Sequence, residues 1–182
     1  MIKDIFRIET KNLFLVPLPI DYLKKCLNGR RTMEEALNLF PVGIPLENEN
    51  PLTIEALKNM ISLVEKNIGF EKWFTNWEFV LKEKNRIIGG GAFYGSPSKE
   101  NCFCPEIAYI IQEEFRNLGY GSEAVKAMTS WAFENGAEDV VALIEDYNIS
   151  SQKMIKKCDF ELDNIKDGVR TYKIRKHYRK AP

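Results

Sequence analysis

Between residues 53 and 69 the apolar positions fall three and four apart, whereas from Trp77 onward they alternate. That change of period separates a helical region from a strand-rich one. Ahead of it, "KNLFLVPL" (Lys11 to Leu18) predicts a strand closed by Pro17 and Pro19. "DYLKKCLNG" predicts a short helix with Leu23, Cys26 and Leu27 on one side, stopped at Asn28 and Gly29. A second short helix is predicted over "TMEEALNLF", where Thr32 and Glu35 stand in the capping-box relation and Pro41 follows the end. After the loop "PVGIPLENENP", Thr53 is placed to cap a longer helix. Its Ile54, Leu57, Ile61, Val64 and Ile68 keep the helical period up to Gly69.

In the second region, "WEFVLKE" and "RIIGGGAFYG" flank Lys84 and Asn85 and predict a hairpin. Three successive glycines in a strand cost conformational entropy, so they imply a bulge or a close backbone approach. "CFCPEIAYII" predicts the next strand, with Pro105 awkward in a central position and Cys102 and Cys104 sharing the Glu106 face by parity. A helix is expected from Tyr120 to Asn135, with Ala124, Ala127, Met128, Trp131 and Ala132 on one stripe and Gly136 ending it. "DVVALI" is apolar enough to be a central and parallel strand. "ISSQKMIKKCDF" reads as a helix, and "ELDNIKDGVRTYKI" as a closing hairpin turning at Asp167 and Gly168. The sum is one α/β domain spanning 1–182, with helices around a twisted mixed sheet.

Charge narrows the partners. Lys plus Arg and Asp plus Glu number 26 each, which leaves no bias toward nucleic acid or an anionic membrane. The exception is the tail "KIRKHYRKAP", a solvated end or a docking patch. No apolar run has the length of a membrane span, and Asp4 and Glu9 interrupt the only apolar stretch at the start, so a cytoplasmic setting is expected. Four cysteines fit that setting as free thiols, and with His177 the sole imidazole no metal centre is expected.

The chemistry concentrates where a strand, a glycine-bearing turn and a helix follow one another. In "RNLGYGS" the residues Arg116, Asn117, Leu118, Gly119, Tyr120, Gly121 and Ser122 lead into the helix. Amides in the first turn of a helix lack partners and carry partial positive charge, so such a turn can cradle a phosphate, with Arg116 adding a charged fork. A plain tight turn explains the same glycines. No Gly-Lys-Ser/Thr follows, and the third glycine of a dinucleotide fingerprint is missing. Glu106, on the strand before the turn, alternates with Ile107, Tyr109 and Ile111; partly buried, such a carboxylate has a raised pKa and can take a proton from an ammonium group. It is equally placed to be a rim carboxylate. Asn148 is the natural N-cap of the following helix, and Ser151 lies on its first turn.

These residues together resemble the GNAT superfamily of acyl-coenzyme A N-acyltransferases. Arg116, Gly119 and Gly121 match its Arg/Gln-x-x-Gly-x-Gly/Ala signature. Asn148, Ser151, Lys157 and Phe160 resemble the Asn-x-x-Ser…Glu-Lys-x-Gly-Phe block of the branch containing the ribosomal-protein and other N-terminal acetyltransferases. The resemblance runs from Lys11 to Ile174, is specific from Trp77 to Phe160 and vague from Gly29 to Gly69. It implies a mostly antiparallel mixed sheet, acetyl-coenzyme A as co-substrate, and direct acetyl transfer to a protein N-terminal or small-molecule amine. It also implies that the backbone of Ala108, Tyr109 and Ile110 pairs with the pantetheine arm and that residues 116–122 hold the pyrophosphate. Asn148 then reaches the cofactor's amide, Ser151 hydrogen-bonds the leaving sulfur with Tyr147 in reserve, and Lys157 belongs to a basic face near the adenosine phosphate. Two positions depart from the pattern: Asp159 replaces the glycine before Phe160, and Ile155 stands where many members carry a proton-donating tyrosine. A non-catalytic acyl-coenzyme A-binding module on the same fold is the alternative, and the resemblance leans toward a homodimer over a monomer.

Overall fold

A computed structural model describes residues 4–42, 51–100 and 102–176, apart from the side chains of residues 51–53. The chain opens with β1 (Ile8–Glu9) and β2 (Leu13–Pro17), then α1 (Ile20–Cys26), α2 (Arg30–Ala36) and α3 (Pro51–Lys66). β3 (Trp77–Leu81), β4 (Arg86–Tyr94) and β5 (Glu106–Ile111) follow, then α4 (Tyr120–Glu134), β6 (Asp139–Glu145), α5 (Ile149–Lys156), β7 (Glu161–Lys166) and β8 (Val169–Arg175). The strands form one 8-stranded sheet in the order β1-β2-β3-β4-β5-β6-β8-β7. Every neighbouring pair is antiparallel except β5 and β6, which run parallel. Among the described residues no helix is long and apolar enough to cross a membrane.

Two cores lie on opposite faces. Ala124, Val125, Met128 and Trp131 of α4, with Ile155 of α5, pack on Trp77, Phe79, Ile107, Val140 and Tyr172. Trp73, Trp77, Phe93 and Trp131 form an aromatic knot there, with ring centroids 4.5 Å apart for Trp73–Trp131 and 4.9 Å for Trp77–Trp131. On the other face Leu23, Met33, Ile61 and Val64 of α1–α3 cover Val16, Val80 and Ile87 of β2–β4. Beyond those strands no described helix covers this second face, and Tyr94, Ile110 and Leu143 stand 64%, 66% and 48% exposed.

The glycine run sits where the sheet is tightest. The β3–β4 register shifts between Phe79 and Val80, and a Cβ on Gly89 would lie 2.3 Å from the Ile110 carbonyl oxygen. Both readings of those glycines, bulge and close approach, therefore hold.

Several boundaries differ from the sequence reading. α2 begins at Arg30, because Gly29 at φ 96° lets the chain enter a helix directly. Thr32 is consequently inside the helix, donating to the Asn28 carbonyl at 2.9 Å, and Glu35 is taken by Arg31, so no capping box forms. α3 begins at Pro51, ahead of Thr53, whose side chain lies outside the described residues. Ile68 falls past the end of α3 and is 83% exposed. β5 begins only at Glu106: Cys102 and Phe103 turn through left-handed φ values of 52° and 55°, and Pro105 has no N–H for the ladder. The two cysteines therefore share no strand face with Glu106. The tail from His177 to Pro182 is outside the described residues.

Candidate active site

β5 and β6 touch at one register pair, Glu106 with Val141, and the Val141 N–H donates to the Pro105 carbonyl at 3.1 Å. Past that point β6 continues against β8 from Asp139 to Glu145, while β5 stays with β4 up to Ile111. The two strands part, and the backbone groups of β5 that face β6 are left without ladder partners. A wedge of this kind accepts an extended chain bearing amide groups.

α4 starts beside the same strand. After β5 a short 3-10 turn (Glu113–Phe115) leads to Arg116, whose Nε donates to the Ile111 carbonyl at 3.0 Å. That bond fixes the guanidinium at the strand end and leaves its Nη groups for a ligand. Asn117 and Gly119 then take φ values of 63° and 88°, and Gly119 is the N-cap of α4 with no side-chain capping bond. A Cβ on Gly119 would meet nothing within 4 Å, whereas one on Gly121 would contact Ile111 and Met154 at 3.5–3.9 Å. Gly119 is thus required by its backbone angle. The amides at residues 120–122 have no helical acceptor and open outward. Leu118 is exposed and Ser122 Oγ donates to the Gly119 carbonyl at 2.9 Å.

α5 is capped by Asn148, whose Oδ1 accepts from the Ser151 N–H at 3.1 Å and the Ser150 hydroxyl at 3.0 Å. Ser151 Oγ lies 2.6 Å from the Tyr109 hydroxyl. Tyr109 points to the helix side of β5, and burial, partly offset by the Ser151 bond, pushes its pKa up to about 12. Ile155 is fully buried, Lys157 is exposed at the C-cap, and Asp159, in place of the family's glycine, turns the chain at a left-handed φ of 67°. Tyr147 is 83% exposed and stands outside this network.

On the opposite sheet face lies a groove of about 460 Å³, floored by Gly90, Ala92, Ala108 and Ile110. Glu106 shares the side of Ala108 and Ile110, opposite Tyr94, and burial raises its carboxyl pKa. At the far end the fully buried Glu78 pairs with Arg30 and accepts from Asn76 Nδ2 at 2.7 Å. The sequence reading missed this trio. Glu78 was visible as a charge inside "WEFVL", but its partner is distant in sequence and no local pattern joins them.

The arrangement is an open helix start for an anion, a wedge for an extended arm, a hydroxyl pair in the wedge and a carboxylate beside a groove. Residues 20–161 match the model of the acetyltransferase (GNAT) domain. Among solved structures, the chain is similar to ribosomal-protein-S5-alanine acetyltransferase from Vibrio fischeri, at 13% identity and TM-score 0.66 over 93% of this chain and 96% of that one. It is similar to the ribosomal L7/L12 α-N-protein acetyltransferase RimL in complex with coenzyme A, at 16% identity and TM-score 0.61 over 93% and 98%. A spermidine N-acetyltransferase chimera from Vibrio cholerae and hSSAT matches at 16% identity and TM-score 0.60 over 91% and 96%. The chain therefore belongs to the GNAT acetyltransferase family, as an acetyl-coenzyme A-dependent acyltransferase.

Proposed function

We propose that this protein transfers the acetyl group of acetyl-coenzyme A directly to a primary amine, with residues 11–174 as the catalytic domain. The observation that carries the proposal is Glu106, placed where β5 and β6 part and on the groove side of the sheet. A carboxylate with a raised pKa at that point can take the proton of an incoming ammonium group, directly or through one water. The donor fits the residues present: the uncapped amides at 120–122 and the Arg116 fork suit a pyrophosphate, and the β6-facing edge of β5 at Ala108, Tyr109 and Ile110 suits a pantetheine arm. Bound there, it supplies an activated thioester. Asn148 and the exposed Lys157 are the two caps of α5; in this reading Asn148 serves the amide of the arm and Lys157 the adenosine phosphate.

The bond changes are simple. The amine nitrogen gains the acyl carbon, the carbon–sulfur bond breaks with its electron pair on sulfur, and the ammonium proton ends on Glu106. Ser151, on the first turn of α5, is the hydroxyl assigned to the sulfur. Tyr147 holds no such position, being exposed.

The groove is the acceptor site in this reading. Its apolar floor suits a chain, and the Glu78–Arg30–Asn76 end is polar and rigid. The similar proteins carry names for protein N-termini and for spermidine, so both acceptor types belong in the test. The thiols of Cys26, Cys102, Cys104 and Cys158 are in no disulfide, which supports a reducing, cytoplasmic setting. The test is thiol release from acetyl-coenzyme A against N-terminal peptides, polyamines and small amines, with mass spectrometry of the product. Acetylated amine in step with released thiol is the expected result. Coenzyme A binding without turnover against the whole panel overturns the proposal.

A further inference from the structure

Tyr109 carries a hydroxyl that neither the family signature nor the bond changes above employ. It is the middle side chain of three on the helix side of β5, between Ile107 and Ile111, and pairs with Gly91 on β4. The strands part at Glu106, so Tyr109 stands roughly 10 Å further into the wedge, three residues along at the usual rise. Its hydroxyl meets Ser151 Oγ at 2.6 Å, bridging β5 to α5 across the opening.

The direction of that hydrogen bond follows from the chemistry of the two hydroxyls. A phenol is the stronger acid and so the better donor, and its ring-conjugated oxygen is a weaker acceptor than the oxygen of an aliphatic alcohol. Among the described residues Ser151 Oγ is the only hydrogen-bond partner of the Tyr109 hydroxyl. The reverse arrangement would set the weaker donor against the weaker acceptor. Tyr109 therefore donates and Ser151 accepts, which leaves the proton of Ser151 without a protein acceptor among the described residues. The Ser151 backbone is held at the same time by Asn148 Oδ1 at 3.1 Å. Both the oxygen and the backbone of Ser151 are thus fixed, and only its O–H vector is unspent. A hydroxyl whose oxygen already accepts a hydrogen bond is also a stronger donor.

We propose that Tyr109 is a positioning residue for acetyl transfer, aiming the Ser151 hydroxyl proton at the departing sulfur. The proposal rests on the assignment of Ser151 to the sulfur and adds to it the group that orients the donor. No proton leaves Tyr109 in the step. The carbon–sulfur pair stays on sulfur, Ser151 donates a hydrogen bond to it, and the thiolate takes its proton from solvent on release. The phenol is suited to this because burial holds its pKa far above neutrality, so it remains a donor at every working pH. Cys158, packed after α5, pushes the same way. The neighbouring positions cannot substitute, since Ile155 has no polar atom and Tyr147 is exposed.

The test uses the thiol of bound coenzyme A as the probe, its ionisation followed by thiolate absorbance against pH in the parent, Tyr109→Phe, Ser151→Ala and the double variant. Ser151→Ala should raise the bound thiol pKa by roughly one unit, about tenfold in the equilibrium. Tyr109→Phe should raise it by a sizeable part of that, with the double variant no worse than Ser151→Ala alone. Turnover should follow the same non-additive order, while coenzyme A affinity at acidic pH, where the thiol is protonated, stays at the parental value in all four proteins. If Tyr109→Phe leaves the thiol pKa unchanged, or if the two effects add, Tyr109 does not act through Ser151 and the proposal falls. If Ser151→Ala does not move the thiol either, the assignment of Ser151 to the sulfur falls with it. Intact coenzyme A binding and acetyl transfer in that case leave the acetyltransferase reading standing.

Discussion

The starts of α4 and α5 solve the same problem in opposite ways. Each helix begins with amides that have no helical acceptor. At α5 the chain supplies its own, Asn148, and the amide of Ser151 is consumed. At α4 the N-cap is Gly119, which has no side chain to offer, and the first-turn amides remain open. The start of α4 is instead held from outside: Glu123 accepts from the Thr10 hydroxyl at 2.6 Å, from the Asn12 amide N–H at 2.6 Å and from Asn12 Nδ2 at 2.7 Å. The open start is steadied without filling it. The difference teaches what each end offers: α4 presents backbone charge to an anion, and α5 presents a hydroxyl whose backbone is already satisfied.

The largest effect should come from filling the open start. Gly121→Asp puts a carboxylate among the free amides, in space where a Cβ meets only ordinary contacts. An acidic residue in the first turn suits the helix itself. Thermal melting should therefore stay near the parent while coenzyme A binding weakens about 100-fold or more, since like charges brought together cost several kcal/mol. Unchanged affinity in calorimetry would show that the open amides hold no anion. Next comes the carboxylate at the wedge. Glu106→Gln should lower turnover about 100-fold with coenzyme A affinity retained, the loss shrinking at high pH as the acceptor amine deprotonates unaided. Its raised pKa also has a stability sign. Ionised Glu106 is disfavoured in the fold, so its relative contribution is fully present below the ordinary carboxylate range and is lost as pH rises through its folded pKa. Glu106→Gln should melt at or above the parent at neutral pH and level with it in acid; a lower melt at pH 7 would contradict the burial argument.

At the closed start the expected effect is smaller and falls on stability. Asn148→Ala removes a side-chain cap, about 1 kcal/mol, and should lower Tm by roughly 2–4 °C in a chain of this size. No shift would mean that the cap is redundant. The smallest effect concerns the outside support. Burial raises the pKa of Glu123 but is outweighed by the hydrogen bonds from Thr10 and Asn12, so the net direction is downward. Its stabilisation is present above the ordinary carboxylate range and lost as pH falls through its folded pKa. Glu123→Gln should narrow the drop in Tm between pH 6 and pH 3, and an unchanged drop would remove Glu123 from the acid response.

Much of this was legible in the chain, for local reasons. The hairpins around Asn85 and around Asp167 and Gly168 form as their turn residues require, with φ values of 47°, 52° and 78°. Asn148 caps α5 as its position before the helix requires. The signature loop was readable because glycine spacing and a basic residue act over a few bonds. The starts of α2 and β5 were misplaced because Gly29 and Pro105 decide them by backbone constraint, which outweighs the side-chain patterns beside them.

What the sequence alone determined is whatever neighbours within one element decide: the order of the helices and of the strands from Leu13 onward, the turns at Asn85 and at Asp167 and Gly168, the glycine loop and the identity of the family. Only the tertiary structure decided the rest. The single register pair between β5 and β6, the bond from Tyr109 to Ser151, the Arg30–Glu78–Asn76 trio and the reach of Glu123 to Thr10 and Asn12 all join residues far apart in the chain. Periodicity records which face a residue presents. It carries no information about what another element brings to that face, and the wedge, the groove and the aimed hydroxyl are made of such encounters.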